Sequence, residues 1–100
     1  MASTVGVIGL GIMGGAMASN LLKAGFKVIG YDLAPAARWA LKREGGVAAR
    51  SGAGVARRAG IVITSLPTVA ALAAVSEEIA RAKRKGLIVV ETSTMPLAAS

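Results

Sequence analysis

Three glycines and one acid hold the spacing in this chain that is most able to do chemistry. Gly9, Gly11 and Gly14 make GxGxxG in the stretch Gly9-Leu10-Gly11-Ile12-Met13-Gly14, and Asp32 follows eighteen residues after Gly14. A turn this short of side chains lets a large anion approach the backbone. With a strand running into Gly9 and a helix beginning near Ile12, the first free amides of that helix point at the anion and its dipole assists. Gly9 then allows the tight turn, Gly11 admits a pyrophosphate where a Cβ would intrude, and Gly14 lets helix and strand pack closely. Asp32, at the end of the next strand, is placed to accept a hydrogen bond from a ribose 2′-hydroxyl. The combination predicts a dinucleotide held by Gly9, Leu10, Gly11, Ile12, Met13, Gly14 and Asp32. A carboxylate here repels a 2′-phosphate, and the next residue is Leu33 rather than an arginine, so NAD is favoured over NADP. Arg38, about a turn into the following helix, can reach round toward the same ribose.

The elements that must position these residues alternate along the chain. Apolar stretches at 4–9, 27–32, 61–66 and 87–92 read as strands, with a short stub at 46–49. Between them, Met13, Met17, Leu21 and Ala24 recur at helical spacing. Pro35 opens a second helix and Gly45-Gly46 closes it. Ser51 is a candidate cap for a weak helix over 52–59, and Thr68 for a helix striped by Val69, Leu72, Val75 and Ile79. Strands that alternate with helices and are apolar on both faces belong in a covered parallel sheet. The expected fold is a Rossmann-type, doubly wound α/β/α sheet of order 3-2-1-4-5, forming one domain over residues 1–100.

Composition narrows the function classes. The 100 residues are 54% hydrophobic and 17% charged, which fits a globular core and not a disordered tail. No apolar run approaches the ~20 residues of a membrane span, and no partner membrane is expected. Cysteine is absent, which fits the cytoplasm; histidine is absent as well, removing the commonest general base and metal ligand. The net charge is +7, but its densest cluster, Arg81, Lys83, Arg84 and Lys85, falls where a helix should end and cations complement the dipole. With three aromatic residues to stack on bases, nucleic acid is not an expected partner.

The stretch "GVIGLGIMGGAMASNLLKAGF", followed by "SLPT" at 65–68 and "ETSTMP" at 91–96, resembles the β-hydroxyacid dehydrogenases, the 3-hydroxyisobutyrate dehydrogenase family. The resemblance runs through nearly all of the chain and is weakest over 69–86. It implies hydride transfer between a nicotinamide and a small 3-hydroxy acid. It also implies that Leu66 and Pro67 run beside the nicotinamide ribose, that Thr94 contacts the cofactor near the nicotinamide, and that Ser93 lies near the substrate. Glu91 stands where the family usually has Asp, and Ala71 where many relatives place Asn. The family's catalytic lysine and helical substrate domain correspond to positions after Ser100, so no catalytic residue is expected in this chain and the chain alone is expected to be inactive. Imine reductases share this N-terminal architecture, and a non-catalytic dinucleotide-binding module has the same features; both remain alternatives. The complete enzyme is expected to be a homo-oligomer, and the apolar strand at 87–92 is expected to pair with a second copy.

Overall fold

The computed structural model describes residues 3–92. Five strands and four helices alternate: β1 (Thr4–Ile8), α1 (Ile12–Lys23), β2 (Lys27–Tyr31), α2 (Pro35–Arg43), β3 (Val47–Ala48), α3 (Gly52–Arg58), β4 (Ile61–Thr64), α4 (Val69–Arg81) and β5 (Ile88–Glu91). Every pairing is parallel and the order is β3-β2-β1-β4-β5, as the alternation predicts. Among the described residues no helix is long and apolar enough to cross a membrane. Ser93 and Thr94 lie outside the described residues.

Successive residues of a strand face opposite sides of the sheet, so Val7 and Ile8 serve two different layers. Val7 joins Leu10, Ala18, Val28 and Leu41, under α1 and α2. Ile8 joins Ile29, Val55, Ala59 and Val62, under α3, with Val75 and Ile79 of α4 packed outside them. Full burial of a Val, Leu or Ile side chain stabilises by about 1.5–3 kcal/mol, and the central strand draws this from both faces.

Two faces differ from the expected pattern. On α1 the buried residues are Gly14 and Ala18, with Leu21 and Leu22 partly covered, while Met13 is exposed. The helix is turned from its Met13–Met17 stripe because it approaches the sheet at Gly14, and only small residues fit between closely spaced backbones. On α4 no residue is fully buried, and Val69, expected on the inner stripe, is 66% exposed. The apolar stretch of β5 is likewise not covered: Ile88, Val89 and Val90 are 56%, 45% and 43% exposed. Among the described residues it is an edge strand and takes its sheet pairing from β4.

α3 is short and carries two glycines, so its own propensity is poor. Three side chains hold it. Ser51 Oγ accepts from the Gly54 amide at 3.0 Å, the expected cap. Glu78 Oε2, from α4, accepts from the Gly52 amide at 2.8 Å. At the other end Arg84 Nη1 donates to the carbonyls of Ala56, Arg57 and Ala59 at 3.3, 2.9 and 3.0 Å. The basic cluster was expected to complement its own helix, yet Arg84 serves the C-terminus of α3. An anion at the start and a cation at the end both match the α3 dipole.

Candidate functional site

Three segments converge at Gly9: the end of β1, the start of α1 and the residues after β4. Gly9 has φ of 95°, its amide donates to the Tyr31 carbonyl at 2.9 Å, and Ser65 N donates to Ile8 O at 2.9 Å. A Cβ added to Gly9 would lie 2.8 Å from the Ser65 carbonyl carbon and overlap its oxygen; one added to Gly14 would do the same to Gly9. These two glycines therefore serve close approach, as their spacing predicts. Gly11 differs: a Cβ there meets nothing within 4 Å.

Gly11 is also the N-cap of α1, with no side chain bonded to that end. Two of the other helices carry a side-chain cap, Ser51 on α3 and Thr68, whose Oγ1 accepts from Ala71 N at 3.0 Å, on α4, while α2 opens on Ala34 and Pro35 without one. A helix start without a side-chain cap, opening on empty space at a glycine, fits an anion that supplies the missing acceptor.

Asp32 is fixed by two backbone amides. Oδ2 accepts from Leu10 N at 2.7 Å and Oδ1 from Ala34 N at 2.8 Å. The second bond is a local turn; the first ties the end of β2 to the glycine loop. Each carboxylate oxygen can accept again, which leaves capacity for ribose hydroxyls. Leu10 serves the site indirectly, because its side chain is in the core and its amide holds Asp32. Arg38 does not reach round into this groove. Its Nη1 donates to the Asp32 and Leu33 carbonyls at 2.6 and 3.2 Å, and its guanidinium lies 5.7 Å from the Tyr31 ring centroid. Its open side faces a separate depression of about 420 Å³ with Trp39, Lys42 and Arg50.

The resulting groove of about 540 Å³ lies at the carboxyl ends of β1, β2 and β4, lined by Gly9, Gly11, Ile12, Met13, Asp32, Leu66 and Pro67 among others. Ile12 and Leu33 stand at its rim, 96% and 82% exposed. Its second wall is Ala71, Ala74, Val75 and Glu78; position 71 is where many relatives place an Asn near the cofactor and Val75 was on the expected stripe, but Ala74 and Glu78 were not anticipated. The signal for those two was present as i, i+3, i+4, i+7 spacing from Ala71 on α4, but an alanine and an acid do not read as an inner stripe. Ala71 reaches the groove with a methyl group only. The lysines are placed away from it: Lys23 and Lys42 in the last turns of α1 and α2, Lys27 at the first residue of β2, and Lys83 and Lys85 between α4 and β5.

A doubly wound parallel sheet with this loop and this acid defines a Rossmann-type dinucleotide-binding domain. Residues 4–100 match the family described as the NAD binding domain of 6-phosphogluconate dehydrogenase, and the chain belongs to that family, as an N-terminal NAD-binding domain of the β-hydroxyacid dehydrogenase type. It is 40% identical over 99 residues to human mitochondrial 3-hydroxyisobutyrate dehydrogenase, covering 96% of this chain and 30% of that protein. The solved 3-hydroxyisobutyrate dehydrogenase of Mycobacterium tuberculosis with L-serine superimposes with a TM-score of 0.89 at 34% identity, over 95% of this chain and 33% of that one. An imine reductase from Pseudomonas sp. superimposes with a TM-score of 0.84 at 26% identity, over 96% and 34%. The chain thus spans about a third of the length of the relatives it matches.

Proposed function

We propose that this chain is the cofactor-holding part of an oxidoreductase that moves hydride between a nicotinamide and a small 3-hydroxy acid. The observation that carries the reading is the bond from the glycine-loop amide of Leu10 to Asp32, which sets a carboxylate beside an open helix start. A bound nicotinamide dinucleotide supplies the hydride chemistry. The residues described here bind and orient it: the first turn of α1 at the pyrophosphate, Asp32 at the adenosine ribose, and Leu66 and Pro67 along the other ribose. Ser93 and Thr94 complete the reading as substrate and cofactor contacts. The dehydrogenase names of the relatives support a 3-hydroxy acid; the imine reductase likeness supports reduction of a C=N bond as the second reading. The lack of cysteine supports a cytoplasmic location, which cell fractionation checks.

The test is titration of the purified chain with NAD and with NADP. NAD should bind more tightly, because a fixed carboxylate accepts from a hydroxyl and repels a phosphate. Asp32→Ser should weaken NAD by about tenfold or more, the worth of a hydrogen bond to a charged group, and narrow the gap to NADP. Equal or tighter NADP binding by the unsubstituted chain would sink the NAD preference.

Self-association belongs to the same reading. Ile88, Val89 and Val90 present an exposed apolar edge on β5, and such edges pair with another strand. Light scattering at rising concentration should show the mass climbing above that of one chain, 10.0 kDa for 100 residues. A constant single-chain mass would count against it.

A further inference from the structure

We infer that Glu78 reads the base of the dinucleotide, its carboxylate accepting a hydrogen bond from the exocyclic amino group of adenine. The inference rests on the dinucleotide reading above and adds to it the residue that selects the base.

The chain has five acidic residues in all, against twelve basic ones, yet two of the five line one groove. Carboxylates are poor company for a pyrophosphate, and acceptor capacity left over from their backbone bonds suits a hydrogen-bond donor on the ligand. Asp32 answers the ribose hydroxyls. Besides Asp32 the groove is lined by Leu33 and by Ala71, Ala74 and Val75 of α4. Small and branched apolar walls suit the two faces of a flat heterocycle. Glu78, one turn of helix past Ala74, carries a charge on that otherwise apolar face. Of the common nucleobases, adenine offers an amino donor and no carbonyl at its Watson–Crick edge, which fits a carboxylate; a 6-oxo purine would bring an oxygen against it.

The carboxylate is held in place by a backbone amide. Oε2 accepts from Gly52 N at 2.8 Å, a bond between α4 and α3 that fixes the side chain's position. An acid held by one amide still has acceptor capacity for the ligand. Capping α3 alone would account for the Gly52 bond but gives no reason for base selectivity, so selectivity separates the two roles.

The experiment compares NAD with nicotinamide hypoxanthine dinucleotide, in which the 6-amino group is replaced by a 6-oxo group. Dissociation constants are measured by calorimetry on the unsubstituted 100-residue chain, on Glu78→Gln and on Glu77→Gln, with circular dichroism reporting the fold. The unsubstituted chain should prefer NAD by about tenfold or more. In Glu78→Gln the carboxamide oxygen can keep the Gly52 bond while its Nε2 turns a donor toward the base, so the preference should vanish or invert. Any general effect of the lost charge acts on both dinucleotides alike and cancels in the ratio. Glu77→Gln, on the neighbouring exposed position, should keep the original ratio. Equal affinity of the unsubstituted chain for the two dinucleotides overturns this inference and leaves the dinucleotide reading standing. An unchanged ratio in a folded Glu78→Gln chain also overturns it. Failure of both dinucleotides to bind the unsubstituted chain overturns the dinucleotide reading and this inference together.

Discussion

The Gly11→Val chain is expected to lose NAD binding while keeping its fold. Gly11 lines the groove, and a side chain there enters open space rather than the core. Its backbone, at φ −70° and ψ −155°, is extended and not left-handed, so the conformation does not demand glycine. The stability cost is that of a poorer N-cap, up to about 1 kcal/mol, or roughly 4–8 °C in Tm for a domain of this size. The binding cost is far larger, because the isopropyl group occupies the volume the pyrophosphate needs and shields the amides that face it. A rise in Kd of ~100-fold or more corresponds to about 2.7 kcal/mol. Calorimetric titration and thermal unfolding on the same preparation separate the two effects. If binding survives, the anion does not sit at Gly11; if Tm collapses with binding, Gly11 is a packing residue and its assigned role is wrong.

Gly14→Ala should show the opposite balance, a large loss of stability from one methyl group. The added Cβ would lie 2.8 Å from the carbonyl carbon of Gly9 and overlap its oxygen. The obstacle is backbone, so no rotamer change relieves it. α1 must move away from β1, and Ala18 and Leu21 lose part of their packing on the sheet. Overpacking usually costs about 1–3 kcal/mol, and a clash with backbone belongs at or above the upper end. That predicts a fall in Tm on the order of 10–20 °C. Denaturant melts of the two variants side by side provide the check. A Gly14→Ala chain as stable as the parent would mean that α1 and the glycine loop are not in the contact described. Within one GxGxxG motif, then, the expected losses divide: binding at Gly11, which faces open space, and stability at Gly14, which faces backbone.

The two variants also mark how far local pattern reaches. The alternation of apolar runs with helical spacing determined the elements, and with them the parallel sheet of order 3-2-1-4-5, because covered parallel strands are apolar on both faces and their crossovers are constrained. The site was legible for a related reason. Ligands of such a sheet bind at the carboxyl ends of its strands, so Gly9, Gly11, Gly14, Asp32, Leu66 and Pro67 could be assigned to one edge from their place in the chain alone. Caps were legible too, since Ser51 and Thr68 act within three residues of themselves.

Contacts between distant residues had no such signature. The bond from Leu10 to Asp32 spans 22 positions, that from Gly52 to Glu78 spans 26, and those from Arg84 to α3 span 25 to 28. Each joins a side chain to a backbone group, and a backbone amide or carbonyl looks alike in every residue of the sequence. Helix rotation was hidden for another reason: α1 turns Gly14 and Ala18 inward, where hydrophobic spacing favoured the methionines, because the distance between two backbones outweighs the area a long side chain could bury. The amino-acid sequence by itself determined which residues form the glycine loop and at which edge of the sheet that loop stands. Only the packing of α4 across α3 decided that Glu78 joins them, since that proximity exists once the chain is folded and not before.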